Sequence, residues 1–185
     1  MKIAVDPGHG LSNSKSNVYD PGAVHASEGT KYEEAAITLR YGLELRNIFL
    51  ERGHQVFMTR ENADDPAPVG ERAGKAEEAG CDAFVSIHLN ANDDERANGL
   101  EVLYRNEDYR ELADALRDAL CSVSRLKARE SKRRVDLAVL KFDGPAVLIE
   151  LGFISNGGDR QILLNPAISQ GISEKIVEVV ADYLA

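Results

Sequence analysis

Cysteine is scarce in this chain, occurring only at Cys81 and Cys121. Two cysteines build no disulfide framework; they leave free thiols, the simpler reading, or a single bridge. No apolar run approaches the ~18 residues of a membrane span, so no membrane insertion is expected. After Lys2 the first apolar stretch lasts three residues before Asp6 and Pro7. That is too short for a signal peptide, so the chain as written is expected to be made and folded in the cytoplasm. Excess positive charge is also lacking. A formal net charge of −9 argues against a nucleic-acid partner held by overall charge. No repeat, low-complexity tract or linker divides the 185 residues, which predicts one domain over 1–185, expected as a monomer.

What the sequence does have is three short apolar runs that each deliver a polar residue to their carboxyl end. Lys2–Val5 leads into Asp6-Pro7-Gly8-His9-Gly10; Ala83–Ile87 stops at His88, with Asn90 just beyond; Pro145–Ile149 delivers Glu150. Runs of this length, rich in β-favouring residues, read as strands buried on both faces. In an open α/β sheet, chemistry collects outside the carboxyl ends of the strands. If the three strands are parallel, His9, His88 and Glu150 emerge on one rim.

The rest of the chain supplies the elements around that rim. Leu11–Gly29 is polar and loop-like. Tyr32–Arg52 has helical periodicity, with Ile37, Tyr41, Leu45, Ile48 and Phe49 on one face and Gly53 as its stop. Glu34 falls near the middle of that face, Glu33 at its edge. Further strands are expected at Gln55–Thr59, Leu100–Tyr104 (nearer an edge) and, briefly, Leu137–Leu140. Helices are expected at Val69–Ala79, Tyr109–Val123 (with Leu112, Ala115, Leu116, Ala119 and Leu120 inward), Asp159–Leu164 and Ile168–Leu184. Arg125–Arg134 carries six basic residues and one acid, read as a solvated helix end or as a dock for an anionic surface. Alternating strands and helices predict an α/β sheet covered on both faces.

Two imidazoles and a carboxylate, His9, His88 and Glu34, make the His2Glu set typical of catalytic zinc. Nitrogen and oxygen donors without thiolate suit zinc better than an iron–sulfur cluster or calcium. Glu150 is then a spare carboxylate beside the ion, placed to accept a proton from water. Each residue alone has an ordinary alternative: a loop or core histidine, a phosphate-binding fragment at Gly8-His9-Gly10, a carboxylate complementing a helix N-terminus at Glu34. His25 and His54 are read as structural or exposed. The four rim residues together favour a metal site and metal-assisted hydrolysis.

VDPGHG, the helix start Glu34-x-x-Ile37-x-Leu39, FVSIHLNA, GLEVLY and PAVLIELGFISN, in that order, resemble the zinc-dependent N-acetylmuramoyl-L-alanine amidases, the catalytic domains of bacterial autolysins and phage endolysins. The resemblance runs from Lys2 to the C-terminal helix. It implies a single domain with a twisted, mostly parallel sheet of about six strands flanked by helices. It also implies Zn2+ on His9, Glu34 and His88, with Glu150 catalytic and peptidoglycan as substrate. The bond implied is the amide between N-acetylmuramic acid and L-alanine of the stem peptide. Arg72 is expected in structural pairing and Asn90 along the cleft.

The chain departs from the family in Leu11–Tyr19, which intervenes before Asp20-Pro21-Gly22-Ala23 and alters the shape of the cleft. No wall-binding repeat is expected beside the catalytic domain. Two rival readings are a zinc peptidase cutting within the stem peptide and a catalytically silent wall-binding module. Asn92–Asn98 is too short to hold a helix that plugs the site. Together with the missing signal peptide, this predicts an open active site and a phage or prophage endolysin acting in cytolysis after its release to the wall.

Overall fold

The computed structural model describes residues 1–185. In chain order its strands are β1 (Lys2–Pro7), the short pair β2 (Gly10–Leu11) and β3 (Tyr19–Asp20), the hairpin β4 (Val24–Ser27) and β5 (Thr30–Glu33), β6 (Gln55–Met58), β7 (Ala83–Asn90), β8 (Glu101–Tyr104), β9 (Lys132–Arg133) and β10 (Ala146–Phe153). The helices are α1 (Glu34–Glu51), α2 (Arg72–Glu78), α3 (Arg110–Ser124), α4 (Gly157–Leu163) and α5 (Pro166–Tyr183). A six-stranded sheet in the order β6-β1-β7-β10-β8-β9 organises the molecule. β6, β1, β7 and β10 are parallel, β8 runs antiparallel to β10, and β9 follows β8. This is the mostly parallel α/β sheet expected.

Side chains alternate along each strand, so each strand feeds two layers. Ile3, Val5, Val85, Ile87, Val147 and Ile149 enter a thick core with α1, α3 and α5. Ala4, Phe84, Leu103 and Leu148 enter a thinner one, closed by α2 and a 3-10 turn at Ala138–Lys141. By the same alternation Asp6, Ser86, His88 and Glu150 lie on the thinner side. Both faces are covered, but unequally, and the rim chemistry lies on the lightly covered face.

Several expectations need correction. Leu137–Leu140 is not a strand, and its last three residues fall in the 3-10 turn; a four-residue apolar run has no decisive period, and here Val139 and Leu140 plug the thin layer. Leu11–Gly29 is not all loop, because it carries β2, β3 and β4. α1 starts at Glu34 rather than Tyr32, since Thr30–Glu33 pairs with β4. α2 starts at Arg72 rather than Val69, whose N–H is bonded to the Asn13 carbonyl. In α3 the inward residue is Ala113, not Ala115. The basic stretch is no helix end: α3 stops at Arg125 with φ 62°, and the chain turns back beside β8. Cys81 and Cys121 are both free.

Candidate metal centre

β1 ends at Pro7, and the Gly8 N–H donates to the Ile87 carbonyl at 3.0 Å, tying the outgoing loop to β7. His9 follows with φ 63°, a conformation uncommon outside glycine that costs energy and is retained where the surroundings impose it. The turn brings the His9 ring to within 5.0 Å of the His88 ring, centroid to centroid. Glu34, 3% exposed, opens α1 directly beneath them. Its Oε1 lies 3.1 Å from His9 Nε2 and 2.9 Å from His88 Nδ1, and accepts from the Leu89 N–H at 2.9 Å. Oε2 accepts from the Ala23 N–H at 2.9 Å. The helix start is anchored in return: the Glu34 and Ala35 N–H groups donate to the Ala23 and Pro21 carbonyls. Space is tight. A Cβ at Gly8 would collide with the His88 ring, and one at Gly22 (φ +67°) would sit 2.6 Å from His9 and 2.7 Å from Glu34.

A second layer fixes this cluster. Asp20 Oδ2 accepts from His9 Nδ1 at 3.1 Å and from Asn13 Nδ2 at 2.6 Å. His9 is therefore held with Nε2 turned toward Glu34. Two buried arginines grip the backbone of the same turn. Arg72 pairs with Asp6 at 2.8 Å and donates to the Pro7 and His9 carbonyls and to Asn13 Oδ1. Arg60, 2% exposed, has no carboxylate partner and donates to the carbonyls of Pro7, Gly8 and Ala35. Burial and the charge of Arg72 push Arg60 down to about 10, still a cation at neutral pH. Burial would raise Asp6, but Arg72, Ser86 and Thr59 hold it below the usual carboxylate range.

Glu150 lies beside His88 in the β7–β10 register and opposite Glu101 in the β8–β10 register. Its Oε2 is buried without a hydrogen-bond partner. A buried carboxylate left so is costly as an anion, and Glu150 is raised to about 7, by burial first, with Glu34 and Glu101 adding and His88 opposing. Glu101 differs: Arg129 at 3.2 Å and Lys132 at 2.8 Å neutralise it, and Asn90 donates to its other oxygen. Asn90 thus braces Glu101, and part of the basic stretch is spent on the same residue.

Among the rim groups, burial would lower His9, yet its hydrogen bonds and charge contacts with Glu34 and Asp20 raise it to about 9. Burial would raise Glu34, and the two histidines instead hold it far below the ordinary range. Glu34 is thus an anion held between two imidazoles, and a divalent cation would bind there by displacing the proton that His9 carries. The three donor atoms lie within 4.8 Å of one another. Donors sharing one tetrahedral ion at ~2.0–2.2 Å bonds sit about 3.4 Å apart, and the Glu34 contacts to His9 Nε2 at 3.1 Å and His88 Nδ1 at 2.9 Å are already near that spacing.

The structure therefore brings together His9, Glu34 and His88, with Glu150 on the same rim. His25 sits apart near Glu95, and His54 packs against Phe49. Asp20 and Arg60 are the residues that sequence reasoning passed over. Asp20 had a signal in its Pro-Gly turn, but nothing local tells that the turn folds back onto His9.

Comparison with known proteins identifies the family. Residues 3–182 match the family model described as N-acetylmuramoyl-L-alanine amidase. The probable cell wall amidase LytH of Staphylococcus epidermidis is 33% identical over 183 residues, covering 99% of this chain and 58% of that protein. The chain thus spans little more than half the length of that relative. The catalytic domain of CwlV from Bacillus (Paenibacillus) polymyxa var. colistinus superposes with a TM-score of 0.87 at 24% identity, over 99% of this chain and 97% of that one. An N-acetylmuramoyl-L-alanine amidase from Clostridium difficile 630 superposes at 0.86 with 28% identity, over 99% and 96%. On the match across nearly its whole length, the chain belongs to the N-acetylmuramoyl-L-alanine amidase family.

Proposed function

We propose that the chain hydrolyses the amide between N-acetylmuramic acid and L-alanine in peptidoglycan, with one zinc ion held by His9 Nε2, a Glu34 carboxylate oxygen and His88 Nδ1. The observation that carries this reading is the convergence of those donors beside the unpartnered Glu150 Oε2. Zinc bound to a His2Glu set supplies carbonyl polarisation and acidified water. The chain's own groups do the rest. Asp20 keeps the His9 tautomer with Nε2 free, and the Leu89 and Ala23 N–H groups keep Glu34 oriented. Glu150 Oε2 accepts a proton from the attacking water and returns it to the departing L-alanine amine. Arg60 and Arg72 hold the Pro7–His9 backbone still while this happens.

The test is digestion of purified peptidoglycan followed by mass spectrometry. Free stem peptides beginning with L-alanine, with intact glycan strands, are the expected products. Fragments cut within the stem peptide would install the peptidase reading instead, and wall binding without turnover the silent-module reading.

The cellular setting we propose is that of a phage or prophage endolysin, on one observation. Between β7 and β8 the chain makes only turns and bends, so that connection holds no helix to cover the centre. The purified chain is therefore expected to act on bare peptidoglycan unaided. A requirement for an activating protein would contradict this setting.

A further inference from the structure

From the His9–His88 centre a recess of about 170 Å³ runs past Asn13, Ser14 and Val69. The same three residues border an open groove of about 490 Å³ between residues 12–17 and 66–71, a volume in the range of ligand sites. The groove is built on the Leu11–Tyr19 segment, and that segment is pinned. The Ala67 and Val69 N–H groups donate to the Leu11 and Asn13 carbonyls at 2.9 Å each, and the Asn17 N–H donates to Ser12 Oγ at 2.9 Å. Ser12 (φ 60°) and Asn17 (φ 56°) adopt left-handed backbone to close it. Its lining offers the hydroxyls of Ser14 and Ser16 and the amide of Asn17. Of its two charged residues, Glu71 is paired with Lys75, which leaves Lys15 as the groove's one uncompensated charge. On the opposite side of the centre two cations, Arg129 and Lys132, share the one carboxylate of Glu101, which stands opposite Glu150.

We propose that the substrate crosses the centre in one direction, with its glycan strand in the Ser12–Asn17 groove and its stem peptide against the Glu101–Arg129–Lys132 side. The proposal rests on the amidase reading for the bond that lies between. A chain rich in hydroxyl and acetamido groups matches a groove lined mainly by hydroxyls and amides. A peptide bearing carboxylates matches the side that carries cations. Asn13 joins the two functions, lining the groove while holding both Asp20 and Arg72 behind His9.

Gly70 supplies the test, because a Cβ there meets no atom within 4 Å. Gly70→Trp should fill the groove without disturbing packing, and Ser16→Tyr, at an exposed position, is a second obstruction of the same groove. Calorimetry with peptide-free glycan strands whose lactyl carboxylates have been converted to amides should show binding to the unmodified chain that weakens about tenfold or more in either variant. The ratio of kcat/KM on long glycan to that on a single muramoyl-peptide should fall about tenfold, mainly through KM. Absence of glycan-strand binding to the unmodified chain overturns the proposal, as does an unchanged ratio in both folded variants. Glycan-strand binding that both variants weaken, with cleavage of a different bond, would support the groove and overturn the amidase reading.

Discussion

Glu150 and Glu101 stand directly opposite one another across the antiparallel β8–β10 pair, and only Glu101 is neutralised. Two carboxylates in unlike environments divide into a fixed anion and a proton carrier. Glu150→Gln is accordingly expected to keep the fold and the zinc while turnover falls ~10²–10⁴-fold. Metal analysis beside a rate measurement checks it; a near-normal rate would remove Glu150 from the mechanism.

The charge of Glu101 helps to raise Glu150. In Glu101→Gln that anion is gone while Arg129 and Lys132 remain, so Glu150 ionises at lower pH. The acid limb of kcat/KM, set by the base in the free enzyme, should move to lower pH than in the unmodified chain. An unmoved or upward-shifted limb would show that Glu150 does not set it.

Arg72 and Asp6 form a buried ion pair, at 2% and 0% side-chain exposure. Arg72→Met leaves Asp6 a lone buried anion and frees the Pro7 and His9 carbonyls. Removing one partner of such a pair costs about 3–5 kcal/mol, a loss readable by urea unfolding. A loss below about 1 kcal/mol would mean the pair is dispensable.

His9 is raised from 6.5 to about 9 by Glu34 and Asp20 against the effect of burial. A group raised on folding stabilises fully below its unfolded value and loses that contribution as pH rises through the folded one. Chelator-treated protein should therefore lose thermal stability between pH 6.5 and about 9. Zinc needs the neutral imidazole, so the Tm gap between zinc-loaded and chelated protein should widen over the same window. A gap that stays constant with pH would argue that His9 carries no extra proton.

The rim was legible because its residues sit at the ends of apolar runs whose lengths and types announce strands: His9 after Lys2–Val5, His88 after Ala83–Ile87, Glu150 after Pro145–Ile149. Glu34 was legible from helical phase, as a carboxylate on a buried face. What the sequence concealed depends on chain segments far apart in number. Asp20 meets His9 only because β2 and β3 pair, and Arg60 meets the Pro7 and Gly8 carbonyls only because β6 lies beside β1. The β4–β5 hairpin was hidden by polar composition, although Glu28 (φ 52°) and Gly29 (φ 78°) form the two-residue turn with positive φ at both positions that such hairpins use. The Leu137–Leu140 run was misread because burial without a period fits a turn as well as a strand.

The account stands most directly on whether His9, Glu34 and His88 hold one zinc ion. Crystals of the zinc-loaded chain, measured on both sides of the zinc absorption edge, decide it. The expected result is a single anomalous peak ~2.0–2.2 Å from His9 Nε2, a Glu34 carboxylate oxygen and His88 Nδ1, lost in His88→Ala. A peak elsewhere, or full activity in protein shown to carry no zinc, would contradict it.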